Sequence, residues 1–200
     1  MSLDKDPSDL EEPLRTFARF LAEAAASGIA EPNAMVLATS DADGRVSARV
    51  VLLKGFDERG FVFYTNLDSR KARAIEANPR VALDFFWRET HKQILVEGVA
   101  ERVSDEEADR YFAGRPRDSQ LGAWASLQSR PLDSREALLD SFVAMTSRYE
   151  GVAVPRPPHW SGFRIVHDYV EFWVRNAHRL HDRVAYTREG AGWSNGLLQP

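Results

Sequence analysis

Four groups of residues carry side chains whose types and spacing could do chemistry. Arg45, Arg49 and Lys54 lie on or beside one apolar stretch, and a spacing of four puts Arg45 and Arg49 on one face of a regular strand. Ser69-Arg70-Lys71 opens a short helical pattern, where backbone N–H groups, the helix dipole, a hydroxyl and two cations can converge on a phosphate. Tyr111, Arg115, Arg117 and Ser119 combine hydroxyls with guanidinium groups and could hold a second anion. Arg179-Leu180-His181-Asp182-Arg183 follows soon after Trp173, and Asp182 reads as a charge partner for a neighbouring arginine. Read singly, each basic group also fits a solvated surface, and the third also fits an exposed helix-to-loop junction. His178 and His181 have helical i, i+3 spacing, but no carboxylate or histidine cluster completes a ligand set, so no metal is expected.

Composition removes whole classes of alternative. The 200 residues contain no cysteine, which excludes disulfides, thiolate metal sites and a cysteine nucleophile. Residues 1–12 carry five acids and one base, so they hold the entire net charge of −4 and leave residues 13–200 neutral. A neutral body argues against nucleic-acid binding. No run approaches the roughly 18 apolar residues of a membrane span, and the acidic start is unlike a leader, so no membrane partner and a cytoplasmic location are expected. There is no Walker A sequence, and Gly190, Gly192 and Gly196 do not fit the Rossmann fingerprint because position 195 is Asn.

The elements that must position these groups follow from pattern and punctuation. Residues 1–12 read as a mobile acidic tail and 13–200 as a single domain. Pro13–Ser27 is helical, with Leu14, Phe17, Phe20, Leu21 and Ala24 on one stripe and Gly28 as the stop. Strands are expected at Ala34–Thr39, Arg45–Lys54 and Phe61–Thr65, with turns at Asp41–Gly44 and Asp57–Gly60. Ser69–Asn78 is a helix; Val81–Trp87 and Lys92–Val103 are strands. Ser104 and Asp133-Ser134 open further helices ending near Phe112 and Tyr149. Val154–Pro158 is a stiff connector, followed by short strands at Gly162–Val166, Val170–Trp173 and Arg183–Thr187 and a last element at Trp193. Consecutive strands with tight turns predict a mainly β, α+β fold: an antiparallel sheet or barrel with helices outside.

Taken in order, these pieces resemble one known family. Arg49-Val50-Val51-Leu52-Leu53-Lys54, Phe63-Tyr64-Thr65-Asn66, Ser69-Arg70-Lys71, Arg115-Pro116-Arg117-Asp118-Ser119-Gln120, Gly122-Ala123-Trp124-Ala125-Ser126, Gln128-Ser129, Glu171-Phe172-Trp173 and Arg179–Arg183 together resemble the pyridoxamine 5′-phosphate oxidase family, from about Ala34 to Pro200. The resemblance implies an FMN-binding split β-barrel homodimer with FMN between subunits. It implies flavin contacts from Arg49, Val50, Val51, Leu52, Leu53, Lys54, Tyr64, Thr65, Arg70, Lys71, Gln93, Gln128, Ser129, Trp173 and Arg183. It places the substrate phosphate at Lys54, Tyr111, Arg115 and Ser119, with Arg179, Leu180 and His181 over the substrate and Arg179 and His181 as the catalytic pair. The implied reaction oxidises pyridoxamine or pyridoxine 5′-phosphate to pyridoxal 5′-phosphate, with dioxygen as acceptor and H2O2 released.

Some features resemble the phenazine-biosynthesis branch instead. Val174-Arg175 stands where a Gln-Gly pair is usual, and Gly28–Pro32, Trp87–Thr90 and the closing Leu198-Gln199-Pro200 are similar to that branch. The alternative substrate these features imply is a dihydrophenazine carboxylic acid.

Overall fold

The computed structural model describes residues 10–200. Most of the expected mobile tail, residues 1–9, therefore lies outside the described residues. From Leu10 on the chain is packed: Leu10 is buried in the core, and Glu11 pairs with Arg188 at 3.2 Å. The elements are α1 (Leu14–Ala26), β1 (Ala34–Ser40), β2 (Val46–Leu52), β3 (Gly55–Asp57), β4 (Gly60–Asn66), α2 (Arg70–Ala77), β5 (Arg80–Trp87), β6 (Lys92–Arg102), α3 (Asp105–Ala113), α4 (Arg117–Ala125), α5 (Arg135–Arg148), β7 (Trp160–Val174), β8 (Asp182–Glu189) and β9 (Gly192–Leu197). All strand pairs are antiparallel. The sheet runs β2-β1-β5-β6-β7-β4-β3, with β8 and β9 branching from β7. The backbone N–H of Lys54 donates to the Val62 carbonyl at 2.8 Å, tying the end of β2 to β4 and curling the sheet toward closure.

α1 fills the open side of this curl. Its apolar stripe buries Leu14, Phe17, Phe20 and Ala24, while Leu21 is only partly covered. Phe17 meets Phe56, Phe61 and Phe85 edge to face at 4.8, 4.9 and 5.0 Å, a geometry that suits the ring quadrupoles. A second, smaller apolar layer joins α3, α4 and α5 to the sheet through Phe112, Leu121, Tyr149, Val154 and Trp160.

Four sequence expectations change in the structure. Arg45 belongs to the β1–β2 turn rather than to β2. The Asp41 carboxylate accepts from the backbone N–H groups of Asp43 and Arg45 at 3.1 and 3.0 Å, so Arg45 does not share a strand face with Arg49. The strip after Lys54 forms β3, too short for a periodic signal. Arg117–Ala125 is a helix rather than a solvated junction; it starts at Pro116 without a capping side chain. The two short strands after the proline connector are one 15-residue strand, β7. Its polar interruption is a bulge: Glu97 pairs with Tyr169 and Gly98 with His167, which leaves Asp168 outside the register to pair with Arg80.

The bulge buries His167 between rings. Phe61 lies edge-on at 5.3 Å and Trp193 stacks at 5.3 Å, while the ring's Nδ1 has no hydrogen-bond partner. Burial, helped by Arg188, pushes its pKa from 6.5 down to about 4. The unfolded chain takes up this proton as pH falls below the ordinary histidine value, and the folded chain only near 4. Stability is therefore lost as pH falls between those two values, by about 3 kcal/mol in total for this group. Urea unfolding at pH 7.5 and 5.0 is expected to show His167→Phe losing less stability than the parent on acidification. Equal losses in the two proteins would refute the assignment.

Candidate functional site

A cavity of about 740 Å³ opens where the end of β2 meets β4, α2 and the α3–α4 turn. It is lined by Val50, Val51, Leu52, Lys54, Tyr64, Thr65, Lys71, Tyr111, Arg115, Ser119 and Gln128 among others. Two basic groups that are distant in sequence thus meet in one space. Leu53 points the other way: its side chain is buried in the core, and its backbone bonds to Asn33.

At one end the chemistry centres on the first turn of α2. Ser69 caps the helix by accepting from the Ala72 N–H, so this hydroxyl is engaged by the backbone rather than free. Lys71 is half-buried. Its Nζ donates to Gln128 Oε1 at 2.8 Å and to Thr65 Oγ1 at 3.3 Å, and the Thr65 hydroxyl donates to the same Gln128 oxygen at 3.1 Å. Arg49 donates to the Leu37 carbonyl and to Thr39 Oγ1, both at 2.9 Å. Burial lowers the pKa of Arg49, and the Arg70 charge lowers it further; burial and then Arg49 do the same to Lys71. Arg70 is exposed beside them, and Ser129 follows Gln128 in a left-handed conformation with φ +70°.

At the other end sits a half-buried guanidinium. Arg115 stands over the faces of Trp160 at 4.8 Å and Phe112 at 5.6 Å, and its Nη1 is buried without a partner. Burial lowers its pKa. Tyr64 and Tyr111 stack at 3.9 Å, and burial, reinforced by Glu107, pushes the Tyr64 hydroxyl up to about 12. Arg117 does not join the cluster. Its guanidinium donates to the carbonyls of Val152 and Tyr149 and closes the end of α5. Among the described residues, none of Arg49, Lys54, Arg70, Lys71 and Arg115 forms an ion pair. Clustered cations with an orphaned buried N–H suit the anionic end of a ligand.

The remaining expected site residues lie elsewhere in this chain. Gln93, Trp173 and Arg183 are consecutive cross-strand partners on β6, β7 and β8, and line a cleft of about 290 Å³ with Glu171 and Pro200. Arg183 donates to Glu171 at 2.7 Å and to the Gln199 carbonyl at 2.9 Å. Burial alone would raise the Glu171 carboxyl, but the bonds from Arg183 and Tyr169 outweigh it and hold the group below its usual range. Arg179 and His181 line a third concavity of about 940 Å³ with Trp173, Phe86, Arg88, His91 and Arg175, while Leu180 is exposed. Asp182 accepts from the Asn176 side chain at 2.7 Å rather than pairing with an arginine. Trp160 lines the first cavity but carried no signal of its own in the sequence, whereas Asn66 and Arg88, which also line cavities, lay inside family-like strings.

The model of the pyridoxamine 5′-phosphate oxidase family matches residues 21–176, and that of the pyridoxine 5′-phosphate oxidase C-terminal dimerisation region matches residues 160–200. The chain belongs to the pyridoxamine 5′-phosphate oxidase family. Within that family of oxidoreductases it is 58% identical over 198 residues to a pyridoxine/pyridoxamine 5′-phosphate oxidase of Rubrobacter xylanophilus, covering 99% of this chain and 91% of the relative. It is 52% identical to the enzyme of the same name in Rhodospirillum rubrum, over 96% of this chain and all of that one. The solved structure of PhzG from Burkholderia lata, in complex with tetrahydrophenazine-1-carboxylic acid, superposes with a TM-score of 0.90 at 36% identity, covering 100% of this chain and 98% of that one. A pyridoxamine 5′-phosphate oxidase-related, FMN binding protein from Nostoc punctiforme, 17% identical with a TM-score of 0.77 and full coverage of both chains, shares the fold. The split barrel expected from the resemblance is thus the architecture found. No helix among the described residues is long and apolar enough to cross a membrane.

Proposed function

We propose that this chain is an FMN-dependent oxidase that converts pyridoxamine and pyridoxine 5′-phosphate to pyridoxal 5′-phosphate, using dioxygen and releasing H2O2. The observation that carries this reading is Arg115: a half-buried guanidinium with an unpartnered Nη1, in one cavity with Lys54, Tyr111 and Ser119. That set has the charge and the donors for a substrate phosphate, and a second, separate cation group remains for the phosphate of FMN. Relatives at 52% and 58% identity carry the vitamin B6 name, whereas the phenazine relative stands at 36%.

In this reading Arg49, Arg70 and Lys71 hold the FMN phosphate, with Ser129 beside them. Val50, Val51, Leu52, Lys54, Tyr64, Thr65 and Gln128 line the cofactor's bed. FMN, when bound, would supply the redox chemistry: two-electron oxidation of the substrate carbon, with dioxygen as the final acceptor. The protein binds, orients and excludes water. Lys54, Tyr111, Arg115 and Ser119 anchor the substrate phosphate and so fix where its ring lies. Arg179 and His181 cover the ring from the opposite side and hold it in place for the transfer.

That last role needs a second copy of the chain, because Arg179, His181, Gln93, Trp173 and Arg183 face cavities apart from Lys54 and Arg115. Two features support a homodimer with a composite site. Residues 160–200, which include Trp173, Arg179, His181 and Arg183, match the dimerisation region. The outer sheet face leaves Val46, Val50 and Phe86 at 74, 65 and 61% exposure, an apolar surface that a partner would cover.

Aerobic turnover of the FMN-loaded protein with pyridoxamine 5′-phosphate tests the reading. Pyridoxal 5′-phosphate, ammonia and H2O2 are expected in equal amounts. Bound flavin with no product, together with turnover of a dihydrophenazine carboxylate, would replace the vitamin B6 substrate by the phenazine one.

A further inference from the structure

Trp160 is absent from the residues that the family resemblance brings to the site, yet the cavity's two anion-directed side chains are built around it. It opens β7, directly opposite Asn66 at the end of β4, and is 6% exposed. Its backbone is held from both sides: its N–H donates to the Pro157 carbonyl at 3.0 Å, and its carbonyl accepts from Arg156 at 2.8 Å. Arg156 is in turn paired with Asp105 and Asp109 of α3. The indole is therefore a fixed plate. Tyr64 and Tyr111 lie parallel to it, at centroid distances of 5.4 and 6.1 Å and within 4° and 1° of its plane. Gly162 makes room for this stack, since a Cβ there would sit 2.7 Å from the Tyr64 ring.

Arg115 rests on this plate, with Cζ 4.8 Å from the indole centroid. No carboxylate pairs with it among the described residues, so the ring faces of Trp160 and Phe112 are what hold the charge in a half-buried place. A carboxylate would fix the guanidinium equally well but would neutralise it and occupy its donors. An aromatic face stabilises the cation through the ring quadrupole and leaves its N–H groups free for an incoming anion. The unpartnered Nη1 is the visible result.

We propose that Trp160 is a positioning residue for substrate recognition: it holds Arg115 charged, oriented and unneutralised for the phosphate of the substrate. This rests on the function proposed above. Trp160 acts chiefly through Arg115, and it sets the affinity for the phosphorylated end rather than the rate of the redox step.

The test is a double-mutant cycle on the FMN-loaded protein. Trp160→Leu is expected to raise KM for pyridoxamine 5′-phosphate roughly ten- to thirtyfold, from the loss of a desolvated cation–π contact, with kcat changed less than about twofold. Trp160→Phe keeps an aromatic face and should rescue most of the loss, and it also guards against a Leu variant that fails to fold. The dissociation constant for pyridoxal 5′-phosphate, read by equilibrium dialysis, should follow KM, and the dissociation constant for FMN should not move. In an Arg115→Ala background both Trp160 substitutions should move KM less than about threefold. Unchanged KM in folded Trp160 variants would overturn the proposal, as would an equal effect with and without Arg115. Arg115→Ala leaving KM unchanged would instead overturn the phosphate assignment on which the proposal rests.

Discussion

Lys71→Ala is expected to weaken FMN binding by about ten- to hundredfold while leaving the fold intact. The estimate follows from one charge-assisted hydrogen bond to a phosphate, worth about 1.5–3 kcal/mol, where each 1.4 kcal/mol is tenfold. Lys71 is well placed for an effect of this size. Its Nζ is held by Gln128 and Thr65, so little orientational freedom is lost on binding. Burial and Arg49 already depress its pKa, and an anion beside it would reverse that. Arg70 is exposed, and Arg70→Ala should cost less because solvent screens it. Flavin fluorescence titration at low and moderate salt reads both. An unchanged FMN titration curve for Lys71→Ala would remove α2 from the phosphate site.

Arg115→Ala is expected to raise KM for pyridoxamine 5′-phosphate by about a hundredfold and leave FMN affinity unchanged. The phosphate would lose a charge-assisted donor in a cavity walled by aromatic rings, where water screens it poorly. The discriminating control is unphosphorylated pyridoxamine. Its turnover, poor in the parent, should be nearly insensitive to the substitution, because nothing in it reaches Arg115. Steady-state kinetics on both substrates check this. A parallel loss on both would mean that Arg115 supports the cavity wall rather than the phosphate.

How much of this was legible in the sequence depended on where the determining contacts lie. Helices with local signals were readable: the Ser69, Ser104 and Ser134 caps bond within three residues of themselves, and the stripe of α1 repeats within one segment. α4 was not, because Pro116 caps nothing and Gly122 interrupts its pattern. β7 read as two strands because His167 and Asp168 look like a turn. What keeps them in one strand is Gly98 on β6, where a Cβ would meet the Val166 carbonyl at 2.2 Å, a neighbour far away in sequence. The site divides the same way. Family-like strings marked Lys71, Arg115 and Arg183, but only packing shows that Arg117 closes α5 and that Trp160 lies beneath Arg115. A tryptophan 45 positions after an arginine carries no periodicity by which to connect them.

The sharing of β7 bears on how the chain is made. β4 and β6 both end their ladders on β7, and β8 has no other route into the sheet. As the chain leaves the ribosome, six strands emerge, and two of them, β4 and β6, keep one edge without its partner until residues 160–174 follow. For that interval β4 and β6 offer open backbone edges, the condition under which strands pair with the wrong chain. The last fifth of the sequence does more than add to a finished domain, because its arrival converts two exposed edges into the interior of the sheet.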